Sequence, residues 1–398
     1  MVEPADPPEK LPCPATPAFL ADLVAIRRDI HAHPELGFEE HRTAALVAEA
    51  LRAAGLEVTA GVGGTGVVGT LRNGGGKASL GFRADMDALP FAEATGAPYA
   101  STVPGVFHGC GHDGHTATLI GAARHLAATR AFSGTIHFIF QPAEEGLGGA
   151  RAMVEDGLFD RFPCDRVFAL HNWPDLPLGS ARTRPGPIMA SADKFRITVT
   201  GTGGHAALPH QTPDAILAAA NLVQQLNTIV ARRVAACHSA VLSVTQIHGG
   251  HAHNVLPAAV EIVGTVRTFD AEVQDRIEAS IRAMAAGVAS SSETDIAVDY
   301  DRYYPATIND ADCAGRALEA ARAVCDDVAV APDPAFTSED FAFMLAERPG
   351  AYLWLGQRDA RHTAALHQPH YDFNEALLPL GVAWFDALAR QLLPHDTV

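Results

Sequence analysis

The densest run of reactive side chains is Phe107-His108-Gly109-Cys110-Gly111-His112-Asp113-Gly114-His115. Alternate side chains of extended backbone share a face. Cys110 and His112 are therefore expected to point together, with glycines removing bulk around them. A thiolate and an imidazole are good ligands for zinc or another first-row divalent ion. The competing reading of this run alone is a glycine-rich turn with incidental histidines. A second group is Gln141-Pro142-Ala143-Glu144-Glu145-Gly146. If extended, its two carboxylates face opposite ways, so one glutamate can grip a metal while the other meets a substrate as a base; an exposed acidic loop is the alternative. His171, in His171-Asn172-Trp173, and His367, in Leu366-His367-Gln368-Pro369-His370, each follow an apolar strand-like run. Ligands in open α/β sheets gather beyond the carboxyl ends of strands, and these groups supply Cys, His, Glu, His and His. That set suffices for two metals sharing a bridging water.

Asp85 and Asp87, in Arg83-Ala84-Asp85-Met86-Asp87, also end a strand-like run. They can be ligands or can orient ligand histidines; the second role is favoured because the Cys/His set is already sufficient. His31 and His33 close the first helix, outside the strand-end pattern, and are assigned a structural role. Further along, Gly201-Thr202-Gly203-Gly204 presents His205, and a histidine-rich run presents Asn254 ahead of Arg267. No Gly-Lys-Ser/Thr ending makes this glycine run a phosphate loop. An imidazole, an amide and a guanidinium suit a carboxylate substrate and a tetrahedral oxyanion. For Arg267 an ordinary surface cation is an equal alternative.

The elements that must position these groups fall into two patterns. Helices are predicted at 17–31, 40–54 and from Asp113 onward, and strands at 66–71, 78–84, 135–140 and 166–170. This alternation predicts a largely parallel sheet covered on both faces. From 194 to 300 the order becomes β-α-β-β-α-β, the ferredoxin-like split unit. Helices at 311–325 and 378–393 and a strand at 352–355 then resume the first pattern. The expected architecture is a discontinuous α/β catalytic domain, residues 1–188 and 304–398, with an inserted α+β domain at 189–303.

Composition narrows the function classes. With 29 Lys and Arg against 46 Asp and Glu among 398 residues, the net charge is −17. Such a chain repels phosphates and anionic membrane surfaces, so neither nucleic acid nor membrane is an expected partner. No apolar run approaches the roughly 18 residues of a membrane span. The acidic, proline-rich start reads as a loose leader rather than a signal peptide. Six scattered cysteines make no disulfide framework, so a cytoplasmic location is expected.

Nine ordered segments resemble the hippurate hydrolase and auxin-conjugate hydrolase branch of the metallo-aminoacylase and carboxypeptidase superfamily: RRDIHAHPELGFEE, GFRADMDALP, HGCGHDGH, QPAEEG, ALHNWP, GTGGHAALPH, HNVLP with GTVRTF, TSEDFAFM and LHQPHYDFNE. They run from residue 27 to residue 375, nearly the whole chain. The resemblance implies two divalent ions (zinc, manganese, cobalt or nickel) held by Cys110, His112, Glu145, His171 and His367. It implies Glu144 as the general base that works on a metal-activated water. It also implies an inserted domain that dimerises and closes as a lid, with His205 reaching the partner's site and Asn254 and Arg267 holding the amino-acid end of the substrate. Ala258 departs from the acidic residue usual after Val-Leu/Ile-Pro. More distant members place a His-x-Asp metal pair where Asp85 and Asp87 stand, and this branch does not. The expected reaction is metal-dependent hydrolysis of the amide bond of an N-acyl amino acid. A dipeptidase or carboxypeptidase on the same scaffold is the first alternative and a non-catalytic metal-binding protein the second.

Overall fold

The structure, a computed structural model, describes residues 16–395. The leader read from the sequence, and Cys13 within it, lie outside those residues up to position 15. The chain divides into two compact units. One comprises the chain up to Ile188, Ile308–Asp333 and the part from Asp340; the other comprises Met189–Thr307 and Pro334–Glu339.

The first unit is built on an eight-stranded sheet in the spatial order 57–62, 66–73, 134–141, 79–85, 166–177, 350–358, 180–183, 327–330. Its centre is parallel: Ser79–Asp85 pairs with both Gly134–Gln141 and Arg166–Pro177, and Arg166–Pro177 pairs with Gly350–Arg358. These strands read as apolar runs because both their faces are covered. Phe82, Phe138, Phe140, Phe168 and Leu353 are all fully buried. Helix His112–Thr129 is rich in small residues, buries most of its length and packs against Leu377–Leu392 and Pro17–Ala32. Three strands run beyond or beside the sequence expectation. Glu57–Val62, Ser180–Thr183 and Asp327–Val330 are short strands at or next to the sheet's edges whose brief apolar content gives little periodic signal.

The second unit is a four-stranded antiparallel sheet in the order 240–248, 259–268, 192–200, 295–304. In chain order its elements are strand, helix, strand, strand, helix, strand. Inward residues alternate along the strands, as in Phe195, Ile197 and Val199, and meet Ala218, Leu222, Ile277 and Ile281 from the two long helices in one apolar core. The first helix of the expected β-α-β-β-α-β order is two, Ala215–Leu226 and Ile229–Arg233. Asn227 closes the first by donating its side-chain amide to the Val223 carbonyl, a local bond that competes with helix continuation. The two outer strands differ in character. Ala240–His248 carries no Asp, Glu, Lys or Arg, whereas Asp295–Tyr304 carries Asp295, Asp299, Asp301 and Arg302.

Candidate metal centre

The carboxyl ends of the parallel strands in the first unit bring the predicted groups together, by routes the sequence reading did not foresee. Cys110 and His112 do not lie on extended backbone. Gly111 has φ +95° and starts helix His112–Thr129, so His112 is already the first helical residue. A Cβ at Gly111 would lie 2.4 Å from the Asn172 side-chain oxygen and 2.5 Å from the Tyr371 hydroxyl. Only glycine fits this turn sterically and conformationally. Glu144 and Glu145 likewise sit on a turn, after Ala143 at φ +54°. His171 lies inside strand Arg166–Pro177 rather than past its end, because that strand runs seven residues further than expected, 177 against 170. His367 is also left-handed, φ +63°, and its amide donates to the Gly109 carbonyl at 2.8 Å.

The donor atoms converge. The Cys110 Sγ is 3.5 Å from the His171 Nε2. The Glu145 Oε1 is 3.3 Å from the His367 Nε2 and 3.9 Å from the His112 Nε2. Ligand atoms of Cys110, Glu145 and His367 lie within 4.8 Å of one another, as do those of His112, Glu144 and Glu145, and those of Asp85, His112, His115 and His171. The other ring nitrogen of His112 and of His171 is spoken for. His112 Nδ1 faces the Asp87 carbonyl at 3.0 Å and its carboxylate at 3.2 Å, and His171 Nδ1 faces the Asn172 carbonyl at 2.7 Å. Such contacts fix the tautomer that leaves Nε2 to ligate. Asp87 also accepts the Glu145 amide at 2.9 Å. Asp85 binds His115 Nδ1 at 2.6 Å and Arg83 at 2.8 Å.

His115 was not singled out from the sequence. Its Nε2 meets the Asn172 side-chain oxygen at 2.6 Å, and Asn172 donates to the Tyr371 hydroxyl at 2.8 Å. The i, i+3 spacing from His112 on one helix face was the available signal. His31 is structural in a specific sense. With Arg27 it holds Asp113, the neighbour of His112, at 2.8 and 2.7 Å, and Arg27 continues to Asp372 at 2.8 Å. His33 is half-exposed and contacts the Asp29 carbonyl on its own helix.

The donors fit a divalent ion. The His112 Nε2 and the Glu145 Oε1 are buried and make no hydrogen bond within the described residues, although buried polar atoms ordinarily find partners. Thiolate, imidazole and carboxylate together form a set suited to zinc and its neighbours. The local field also favours a cation. Burial disfavours charge on His112, yet Asp85, Asp87 and Glu145 together push it up to about 10. Burial, followed by the Glu145 and Glu144 carboxylates, pushes the Cys110 thiol well up. Burial and the neighbouring His115 hold His171 well below the usual imidazole range. Asp85 is held well down against its burial by His112, His115 and Arg83.

The remaining predicted residues belong to the second unit. His205 pairs with Val255 in a two-stranded ladder, and the Asn254 carbonyl accepts the Ala206 amide at 3.1 Å, so these two are brought side by side. Both are exposed. Arg267, on strand Ala259–Thr268, donates to Thr265, to the Val266 carbonyl and to the Tyr303 hydroxyl. Ala258 lies against Gly203, within the same ladder region.

A family model for Peptidase family M20/M25/M40 matches residues 81–391. The chain is 40% identical over 373 residues to a hippurate hydrolase of Campylobacter jejuni, covering 92% of this chain and 96% of that protein. It is 36% identical over 376 residues to an IAA-amino acid hydrolase ILR1-like 2 of Arabidopsis thaliana, covering 93% and 85%. Among solved structures, the YxeP protein of Bacillus subtilis, described as a dinuclear metal binding peptidase of the M20 family, superposes with a TM-score of 0.83. Its sequence identity is 34%, and the match covers 96% of this chain and all of that one. These relatives bear out the branch read from the nine segments.

Proposed function

Because the chain belongs to peptidase family M20/M25/M40, a family of metal-dependent hydrolases, we propose that it cleaves the amide bond of N-acyl amino acids, aryl-acyl conjugates included, releasing a carboxylic acid and a free amino acid. The observation that carries the reading is the convergence of Cys110, His112, Glu145, His171 and His367 beside Glu144. In this reading those five side chains hold two divalent ions, with zinc, manganese, cobalt or nickel as candidates, and Asp85 and Asp87 orient the ligands. Ions bound there polarise a carbonyl oxygen and acidify a water.

The chain's own groups do the rest. Glu144 takes a proton from the attacking water and hands it to the leaving amine nitrogen. Glu145, one residue on, is committed to the ions, so the two carboxylates divide ligation from proton transfer. His205 donates to the oxyanion of the tetrahedral intermediate. Asn254 and Arg267 bind the substrate carboxylate; the Arg267 guanidinium has five donors, enough to serve this role besides its contacts to Thr265 and Tyr303.

The second unit serves as a ferredoxin-like lid and dimerisation domain that delivers His205 to the partner's site. The strand order in its sheet supports the ferredoxin-like description. Support for pairing comes from the uncharged outer strand Ala240–His248, with Val241 and Ile247 exposed, and from Ile216 and Leu217, which helix Ala215–Leu226 exposes at 46% and 68%. Burying surface of this kind is a usual basis of association. Four described cysteines, Cys110, Cys164, Cys237 and Cys313, stand outside any disulfide, in keeping with a reducing cytoplasm, and no described helix is long and apolar enough to cross a membrane.

The test is hydrolysis of N-acetyl amino acids, N-benzoyl amino acids and dipeptides by the protein as purified, after chelation, and after manganese or zinc is returned. Metal-dependent release of amino acid from an N-acyl substrate is expected. Cleavage of dipeptides alone would replace this reading with a peptidase one. Bound metal with no turnover on any of them would favour a binding protein.

A further inference from the structure

Five described non-glycine residues have positive φ: Phe38, Arg130, Ala143, Glu293 and His367. Arg130 and Glu293 close helices, where a left-handed residue is ordinary. Ala143 has no such excuse. It sits at φ +54° immediately before Glu144, in a region where alanine is disfavoured by about five- to thirtyfold. Strain of this kind persists only where the surroundings over-determine it.

The surroundings can be named. The Ala143 amide donates to the Glu40 Oε1 at 2.8 Å, and the Ala143 carbonyl accepts the Gly149 amide at 3.0 Å. The second Glu40 oxygen accepts the Thr65 hydroxyl. Glu40 is fully buried and stands at the N-cap of helix His41–Ala53, yet its side chain caps nothing there. The short side chains favoured in that position turn to their own helix amides; this longer carboxylate reaches a turn 103 residues away instead. Gly149 is equally constrained, since a Cβ there would fall 1.7 Å from the Pro142 carbonyl oxygen. The other side of the turn is held by Asp87 on the Glu145 amide and by Asp340 on the Ala150 amide at 2.8 Å.

We propose that Glu40 is a positioning residue for the reaction: it holds Ala143 left-handed and thereby sets where the Glu144 carboxylate points. Glu40 is outside the groups of converging donors and acts through the backbone. The inference rests on Glu144 being the general base, and it yields a rescue that a purely structural role does not. A glycine at 143 adopts positive φ without penalty, so it removes the need for Glu40.

Three variants separate the possibilities: Glu40→Gln, which keeps an acceptor for the Ala143 amide, Glu40→Leu, and Glu40→Leu with Ala143→Gly. Each is assayed for kcat, KM, metal content and amide hydrogen exchange over residues 141–149. E40L is expected to lose at least about tenfold in kcat at little change in KM, because small displacements of a catalytic group cost this much or more. It is also expected to exchange the 141–149 amides faster while keeping its metals. E40Q stays near the parent, and the double variant recovers most of the kcat and the exchange protection. Unchanged exchange in E40L, or a double variant no better than E40L, overturns the proposal. Faster exchange with rescue by A143G, in a protein that turns over no N-acyl amino acid, upholds the positioning of the turn and refutes the hydrolase reading alone.

Discussion

Replacing Gly111 with alanine tests whether the turn that aims Cys110 and His112 is dictated by sterics. The φ of +95° costs an alanine about 1–2 kcal/mol relative to glycine. The new methyl group would also lie 2.4 Å from the Asn172 oxygen and 2.5 Å from the Tyr371 hydroxyl. Both side chains are buried: the Asn172 amide nitrogen donates to the Tyr371 hydroxyl at 2.8 Å, and the Asn172 oxygen meets the His115 Nε2 at 2.6 Å. Forcing them apart disrupts one or two buried hydrogen bonds, about 1–3 kcal/mol more. Together the loss is about 2–5 kcal/mol, a large share of a typical folding free energy. Asn172 adjoins His171, so both segments that carry candidate donors shift, and ion affinity should fall about 10- to 100-fold, as for disturbed outer contacts of metal sites. Urea unfolding of chelated protein measures the first quantity, and competition with a chromophoric chelator measures the second. A chelated G111A protein within about 1 kcal/mol of the parent, with unchanged ion affinity, would refute the reasoning.

Three further outcomes are expected. Glu144→Gln keeps its metals but loses at least about a hundredfold in kcat, the low end for a positioned acid–base; near-full activity removes Glu144 from the proton path. Cys110→Ala lowers metal content as well as activity, and elemental analysis showing a full complement would remove the thiol from the ligand set. His137 is held down to about 4 by burial and then by the Arg72 charge, while its unfolded counterpart titrates near pH 6.5. Its contribution is thus fully present above about pH 6.5 and is lost as pH falls towards 4, on the order of 3 kcal/mol in all. His137→Asn, which can still meet Thr70 as the Nδ1 of His137 does at 2.9 Å, should flatten that acid limb in pH-resolved unfolding; an unchanged slope assigns it to other groups.

The candidate donors were legible in the sequence because reactive residues crowd into short segments at strand ends. Their directions were not. Alternation in extended backbone was the wrong geometry for Cys110 and His112 and for Glu144 and Glu145, since Gly111 and Ala143 turn the chain left-handed. A glycine advertises that freedom weakly, and an alanine does not advertise it at all. Glu40 was invisible as a functional residue because its partner lies 103 positions away. Both units were legible as alternating patterns, since helix and strand periodicity survive in long elements. The short strands Ser180–Thr183 and Asp327–Val330 have four residues each and left no period to read.

The unlike outer strands of the second unit limit how the chain can multiply. Backbone groups at a sheet edge will recruit another strand wherever nothing repels it. Along Asp295–Tyr304 three aspartates outnumber the single Arg302 and set net negative charge against itself in self-pairing, whereas Ala240–His248 presents no such barrier. A protomer with one permissive edge has a valence of one. Two copies that met there through a twofold axis would use up both edges and leave nothing to propagate, so such a sheet would end at a pair instead of running on into a fibre. Neutralising Asp295, Asp299 and Asp301 would raise that valence to two and convert a self-limiting contact into a route to polymer.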